Sequence, residues 1–296
     1  MKVTRRELVG ALAAAAVRNA PAQPPRPVIC LHSAILSKLH YSELGPTLAA
    51  LGFEGCDLTV RRGGHVIPER APADLLRAIE GITGEGVQVP MITTDLVSAS
   101  YPAGRVVLAI AGGMRVPYFR LGYWPYSEND DIEARLQQVR RDVLGLSMLG
   151  RAYGMIAGFP NRAGFYVGAS VWDAKAVVGE LDPAWVGYCY DPCHATAEGG
   201  VGGWSVSLRL VLPRLKMITL RDFYWQKTGG KWQMTMCPMG EGMVDWPAVF
   251  SALAQARFSG PVSLHVDYNP ANELAAMARD LAFVKKRLAE AYSGST

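Results

Sequence analysis

Residues 185–222, WVGYCYDPCHATAEGGVGGWSVSLRLVLPRLKMITLRD, carry the pattern that decides the fold. They begin with a short β-rich run, WVGYCYD (185–191), and end with a second one, LKMITLRD (215–222). Between the two runs, residues 203–213 place apolar side chains at helical spacing. A strand, a helix and a second strand in this order predict a βαβ unit, whose two strands pair in parallel.

The same alternation extends over the chain in both directions. The predicted strands are 28–33, 55–60, 87–93, 116–124, 153–159, 185–191, 215–222 and 261–268, and the predicted helices are 43–51, 72–84, 103–113, 130–150, 173–181, 203–213, 246–257 and 271–290. Asp130 and Asp131 suit the start of the fourth helix, and Asn272 suits the start of the last. Eight strands alternating with eight helices predict a closed (β/α)8 TIM barrel. The alternative is an open doubly wound sheet, but no glycine-rich nucleotide-binding turn follows the early strands.

The longest irregular insertion is 223–245, between the seventh strand and its helix. Its Gly229-Gly230 pair stands between polar and aromatic residues, which is typical of a tight hairpin turn. On a barrel, this insertion is expected to lie over the mouth that the strand ends form.

Composition limits the classes of partner. Half of the 296 residues are hydrophobic and the formal net charge is +4, so the chain can bury a large core. The Lys and Arg residues are scattered and form no basic block, which argues against nucleic-acid binding.

The N-terminal residues 1–26 resemble a twin-arginine export signal. Arg5 and Arg6 precede an apolar run from Leu8 to Val17, which small residues and prolines follow. This run is too short to span a bilayer, which takes about 20 residues, and no other segment resembles an integral membrane span. We therefore expect a signal segment (1–26), one barrel domain (27–296) and a periplasmic or secreted location. The sequence leaves both a monomer and a homo-oligomer open.

Candidate catalytic side chains follow the predicted strand ends, where barrel enzymes carry their active sites. Four of the five histidines lie there, and only His40 falls elsewhere; the four are His32, His65, His194 and His265. Charged residues follow the same geometry: Asp57, Arg61, Asp95, Arg120, Asp191, Arg221, Asp222 and Asp267, with Glu241 in the long insertion. A ring of both signs around one pocket suits a polyhydroxylated substrate.

Six segments resemble, in order and spacing, the motifs of the xylose-isomerase-like sugar isomerase/epimerase superfamily, particularly an exported bacterial subgroup. They are GFEGCDLTVRRGGHV (52–66), YFRLGYW (118–124), VGASVWDAKAVVGELDPAWVGYCYDPCHATAEGG (167–200), ITLRDFYW (218–225), CPMGEGMVDW (237–246) and GPVSLHVDY (260–268). The likeness covers residues 28–290 and implies a carbohydrate substrate.

The resemblance also implies one divalent metal, Mn or Mg, held by two Glu, an Asp and a His. Asp191 matches the metal Asp, and His194 matches a substrate-contacting His. The chain departs from the pattern at Asn161, where the family has Glu, and at Arg221, where it has the metal His. Because arginine cannot ligate a cation, the alternatives are a metal bound by Asp191, His265 and Asp267, or no metal and Arg221 in its place.

The first functional hypothesis is an isomerase or epimerase that removes a proton beside a sugar carbonyl. Its predicted catalytic residues are His194, His265, Arg221 and Asp191, and its predicted substrate-binding residues are His65, Arg61, Arg120, Asn161, Asp222, Glu241 and Asp267. The second hypothesis is a lyase or hydrolase acting on 3-keto-glycosides, which begins with the same proton removal. The third is a barrel without activity that binds a sugar or a partner protein.

Overall fold

Eight parallel strands close into a barrel in the computed structural model, which describes residues 26–293. The barrel strands are β1 (Ile29–His32), β2 (Gly55–Val60), β3 (Gln88–Thr94), β4 (Tyr118–Arg120), β5 (Ile156–Pro160), β6 (Val186–Tyr190), β7 (Leu215–Leu220) and β10 (Val262–Leu264). Strand β1 pairs with both β2 and β10, so the sheet has no free edge. The TIM barrel is confirmed and the open sheet is excluded. The predicted export signal lies outside the described residues, apart from Arg26, and stays a prediction.

Eight α-helices of the described chain alternate with these strands, and the last one follows β10. They are α1 (Tyr41–Leu51), α2 (Ala71–Thr83), α3 (Pro102–Gly113), α4 (Ile132–Ala152), α5 (Val171–Val178), α6 (Pro192–Val211), α7 (Trp246–Gln255) and α8 (Glu273–Ser293). Asp131 caps α4 by accepting a hydrogen bond from the backbone N–H of Ala134, and Asn272 does the same for Ala275 at α8. None of the helices within residues 26–293 is long and apolar enough to cross a membrane.

Helix α6 begins at Pro192, well before residue 203, where the sequence predicted its start. Asp191 caps it by accepting a hydrogen bond from the backbone N–H of His194, and a backbone break at Gly200 (φ 55°, ψ −137°) divides it. The glycine-rich stretch around this break hides the helical periodicity of the first turns. His194 therefore lies in the first turn of a helix and not in a loop.

The insertion after β7 forms the predicted hairpin. Strands β8 (Asp222–Thr228) and β9 (Lys231–Cys237) pair in antiparallel register, and both turn glycines have positive φ, 59° at Gly229 and 81° at Gly230. A two-residue turn with this backbone strongly favours glycine. Strands β4 and β10 are shorter than predicted, because the chain leaves the sheet at Arg120 and Leu264 to form the mouth of the barrel.

The barrel interior is closed by a small apolar cluster. Met91, Cys189 and Met217 contact one another and are fully buried. They form a cluster separate from the larger one, which packs the helices against the strands. Gly158 of β5 leaves room for them, since a Cβ there would lie 1.9 Å from Cε of Met217. Because this packing fills the interior of the barrel, a ligand can reach the barrel strands only at their ends.

Candidate functional site

A cavity of about 410 Å³ opens at the C-terminal ends of the barrel strands. It is lined by His32, Ala34, Arg61, Thr94, Asp95, Arg120, Gly122, Tyr123, Arg162, Arg221, His265 and Asp267. A larger cavity, of about 620 Å³, lies between α7 and α8, away from these ends. The smaller cavity is the candidate site, because the fold brings loops from many strands together there.

One side of the cavity is a group that we call the histidine wall: His32, Asp57 and His265. The rings of His32 and His265 are stacked, with centroids 3.9 Å apart and planes within 4°. Nδ1 of His32 lies 3.0 Å from Oδ2 of Asp57, and the same oxygen accepts hydrogen bonds from Thr93 (3.0 Å) and Ser263 (2.6 Å). All three members are buried, so the wall is fixed before any ligand arrives.

Burial and the neighbouring groups together set the protonation of this wall. It raises the pKa of Asp57, but the charge and hydrogen bond of His32, with the bonds from Ser263 and Thr93, outweigh it and hold that pKa below its usual value. Burial, with the charges of His32 and Arg221, holds the pKa of His265 well below that of free histidine. Asp57 is therefore a carboxylate and His265 a neutral imidazole near pH 7.

Arg221 stands beside the histidine wall at the end of β7. Its Nη1 donates a hydrogen bond to Oδ2 of Asp267 (2.6 Å), and its Nε lies 2.9 Å from Oδ2 of Asp191. Burial lowers the pKa of Arg221, but the two carboxylates raise it by more than burial lowers it. The guanidinium is therefore a permanent cation. His194 adjoins this group, with Nε2 3.8 Å from Oδ2 of Asp191, and burial lowers its pKa to about 4.

The opposite side is a group that we call the arginine wall: Arg61, Arg120, Arg162 and Tyr123. The guanidinium carbons of Arg120 and Arg162 each lie 4.7 Å from the ring centroid of Tyr123. Arg120 is 8% exposed, and its Nε donates a long hydrogen bond, 3.4 Å, to Oγ1 of Thr93. These cations come from the ends of β2, β4 and β5. In the sheet β4 pairs with β5, and β3 lies between β2 and β4.

The structure brings only some of the predicted site residues to the cavity. Arg61, Arg120, Arg221, His265 and Asp267 line it, and Asp191 and His194 lie directly behind Arg221. His65 does not line it, since its two ring nitrogens face Ser33 Oγ (3.0 Å) and the carbonyl of Leu36 (2.9 Å). The side chain of Asn161 bonds both the N–H and the C=O of Asp191, which ties the end of β5 to β6.

Two further predicted substrate-binding residues also lie outside the cavity lining. Asp222 is buried and accepts hydrogen bonds from the backbone N–H groups of residues 223, 240, 242 and 244 and from Nε1 of Trp246. Glu241 is exposed and lies 3.7 Å from Nη1 of Arg279. The contacts of Asp222 are those of a carboxylate that shapes a loop, and a direct contact of either residue with substrate stays a prediction.

Tyr123, Thr93 and Ser263 were not among the residues that the sequence pattern predicted for the site. Tyr123 was part of a predicted strand, although its position just after Arg120 was the signal that it could reach the mouth. Thr93 and Ser263 lie within predicted strands among ordinary strand residues, and no sequence pattern distinguishes them. Only the closed sheet shows that both donate to Asp57.

Comparisons with known proteins agree with this architecture. The family model described as a xylose isomerase-like TIM barrel matches residues 47–287. No curated protein matches this chain. A solved L-ribulose 3-epimerase is 15% identical, with a TM-score of 0.71 over 91% of this chain and 97% of that chain.

Two further solved structures have the same fold. A xylose isomerase-like TIM barrel protein from Mycobacterium smegmatis, in complex with magnesium, is 14% identical, with a TM-score of 0.68 over 90% of this chain and 97% of that chain. A 3-keto-D-glucoside 4-epimerase from E. coli is 13% identical, with a TM-score of 0.67 over 88% of this chain and 100% of that chain. At these identities the likeness shows the fold alone.

Two groups of side chains at the mouth could hold the divalent metal that the family resemblance implies only if their geometry allowed it. Arg221 stands between Asp191 and Asp267, so its guanidinium takes the place that a cation would have there. His32, Asp57 and His265 could offer ligand atoms, which lie within 4.8 Å of one another. However, an ion lies in the plane of a ligating imidazole, and two rings within 4° of parallel and 3.9 Å apart share no such plane. In this arrangement neither group fits a metal ion.

Proposed function

Because the chain belongs to the family of xylose isomerase-like TIM barrels, we propose that it is an enzyme that removes a proton from the carbon beside a sugar carbonyl, as an isomerase or epimerase does. One observation carries the proposal: a neutral buried imidazole, His265, and a fixed guanidinium, Arg221, line the same cavity. The first is a proton acceptor and the second a stabiliser of the negative oxygen that proton removal creates.

His265 takes the proton. It is neutral because burial lowers its pKa, and its ring faces carboxylates on both sides, with Nε2 3.9 Å from Asp57 Oδ2 and Nδ1 3.9 Å from Asp267 Oδ2. These carboxylates stabilise the imidazolium after the transfer. The imidazolium can exchange its proton with solvent and then protonate the adjacent carbon, which completes an isomerisation once a proton has also moved between the two enediolate oxygens. An epimerisation instead needs a proton from a second donor on the opposite face of the same carbon.

His32 supports this transfer as a second proton carrier. Asp57 faces its Nδ1, which therefore carries a proton, and Nε2 is the ring nitrogen left to give or take one. The stacked contact with His265 keeps both rings in one orientation. We propose that His32 and Asp57 position His265 and that His32 exchanges protons with the substrate hydroxyls.

Arg221 binds the oxygen that becomes negative. When the C–H bond breaks, its electron pair moves toward the carbonyl and gives an enediolate. A guanidinium held by Asp191 and Asp267 can donate a charge-assisted hydrogen bond to this oxygen without having to reorient. In this proposal the reaction needs no metal, since the residues at the mouth do not fit one.

Hydrogen exchange with solvent tests the proposal. Incubation of the protein in D2O with a panel of neutral, carboxylated and phosphorylated ketoses should place deuterium beside the carbonyl, which NMR detects. His265→Asn should slow this exchange by about a hundredfold to ten-thousandfold, the usual contribution of a positioned acid or base. His40→Asn, a change at an exposed helix cap, is the matched control. Exchange that survives His265→Asn, or that is absent with every ketose, would contradict the proposal.

A second candidate is elimination from 3-keto-glycosides, and the two adjacent imidazoles favour it. His265 would take the proton, and His32 would supply one to the departing glycosidic oxygen as the C–O bond breaks. The likeness to a 3-keto-D-glucoside 4-epimerase supports keto-glycosides as substrates to try. Release of free aglycone identifies elimination, whereas an intact glycoside with deuterium identifies epimerisation. Sugar binding with neither outcome would instead support a barrel without activity.

A further inference from the structure

We propose that the arginine wall binds an anionic substituent of the substrate, a carboxylate or a phosphate group. This inference deepens the proposed function and rests on it only for the placement of the substrate in this cavity. A neutral sugar would offer the wall hydroxyl groups but no opposite charge. The substrate class is therefore a sugar acid or a sugar phosphate.

Arg120 carries the argument. It is 8% exposed, lines the cavity, and has no carboxylate within 4.0 Å among residues 26–293. Its side chain donates one long hydrogen bond, from Nε to Oγ1 of Thr93, within the described part of the chain. Burying a cation without an anion is costly, so natural proteins rarely do so without a reason. A ligand carboxylate or phosphate in the cavity would supply the missing partner.

The neighbouring cations share this property. Neither Arg61 nor Arg162 forms an ion pair within the described part of the chain, and both line the same cavity. Arg162 is held by the rings of Tyr123 (4.7 Å) and Tyr166 (4.8 Å), which fix its guanidinium without offsetting its charge. Planar guanidinium groups set in place in this way suit the oxygen atoms of carboxylate and phosphate.

The charges that line the cavity do not cancel on this side. The lining includes four arginines against two aspartates, Asp95 and Asp267. Asp267 is bound to Arg221, and Asp95 is not within 4.0 Å of any arginine nitrogen of the wall. The surplus positive charge is therefore concentrated between β2 and β5, across the cavity from His265. A substrate with its carbonyl beside Arg221 can extend its far end toward this surplus.

Binding of three matched polyols tests the inference independently of turnover. D-glucitol is neutral, D-gluconate carries a carboxylate and D-glucitol 6-phosphate carries a phosphate, and none has a carbonyl that could react. Calorimetric titration of the full chain should give at least about tenfold tighter binding for one or both anions than for D-glucitol. Whichever anion binds more tightly identifies the substituent.

Variants assign the preference to the wall. Arg120→Met should weaken anion binding by about 10- to 100-fold, the scale of a lost hydrogen bond to a charged group, and Arg120→Lys should fall between. Arg162→Met serves the same purpose if Arg120→Met does not fold. Arg209→Met removes an exposed arginine of α6 and should leave anion binding unchanged. Equal affinity for all three polyols, or a preference that persists in both wall variants, would overturn the inference. If anions bind through the wall but no ketose exchanges deuterium, this inference stands and the proposed function fails.

Discussion

The two walls of the cavity differ in how their charges are satisfied. In the histidine wall, the Asp57 carboxylate is matched by a histidine and two hydroxyl donors that the barrel itself supplies. In the arginine wall, Arg120 and Arg162 are held by a tyrosine ring, and the described chain gives them no opposite charge. The difference separates two tasks: a preorganised wall suits proton transfer, and a wall that needs an anion suits recognition.

Arg221 stands between the two walls. Among the changes considered below, its replacement should have the largest effect on the rate of deuterium exchange. Arg221→Met should lower the rate of deuterium exchange by about a hundredfold to a thousandfold, because it removes the donor to the developing oxyanion. Arg221→Lys should fall between the variant and the wild type, since it keeps a charge but not the planar fork. Exchange rates with a saturating substrate provide the measurement.

A chelator and a thermal melt accompany this experiment. Chelation should leave the wild-type rate unchanged, while a loss of activity that Mn or Mg restores would return Asp191, His265 and Asp267 to the role of ligands. Because Arg221→Met also leaves two carboxylates without their cation, circular dichroism must show that the variant is folded. A folded variant with wild-type exchange would place the oxyanion elsewhere in the cavity.

The second prediction concerns the pH dependence of the stability that the buried histidines His194 and His265 produce. The pKa of His194 is lowered by burial to about 4, so the unfolded state binds more protons than the folded state between about pH 6.5 and pH 4. Stability conferred by the neutral ring is therefore present above pH 6.5 and is lost as pH falls through this window. The loss from His194 is about 3 kcal/mol, at 1.36 kcal/mol for each pKa unit, and His265 adds to it in the same direction.

Urea titrations at several pH values measure this loss as a fall in the unfolding free energy. His194→Gln should make the fall between pH 7 and pH 4 shallower, because the variant no longer has a neutral buried ring to protonate. His40→Asn should keep the wild-type slope, since that histidine is exposed at the start of α1. An unchanged slope in His194→Gln would show that burial does not control this ring.

The smallest expected effect is on anion binding, when the ring of Tyr123 in the arginine wall is removed. Tyr123→Leu removes the ring against which Arg120 and Arg162 lie, and should weaken binding of the tighter anionic polyol by about two- to fivefold, as a lost contact of 0.5–1 kcal/mol predicts. Tyr123→Phe keeps the ring and should bind the anion as the wild type does. Calorimetry on both variants decides whether the ring or the hydroxyl matters.

The candidate site was predictable where a residue type coincides with a strand end. Arg221, His265 and Asp267 each follow an apolar strand, and on a parallel barrel those ends meet, so they were placed at the mouth correctly. The same rule also selected Asp222 and His65, whose side chains turn away from the cavity and bond the loop before α7 and the turn after β1. Position along a strand gives the end of the barrel but not the direction of a side chain in the following loop.

The sequence by itself determined the alternation of strands and helices, the closed barrel, the hairpin at Gly229-Gly230 and the end of the barrel that carries the site. Those features follow from local patterns: apolar periodicity, helix caps and the backbone that glycine permits. Only the tertiary structure decided that His32 stacks on His265, that Ser263 reaches Asp57, and that Arg120 has no carboxylate beside it. These contacts join residues far apart in sequence, such as Asp57 and Ser263 at the junction of β2, β1 and β10, and they depend on how the sheet closes, which no local pattern records.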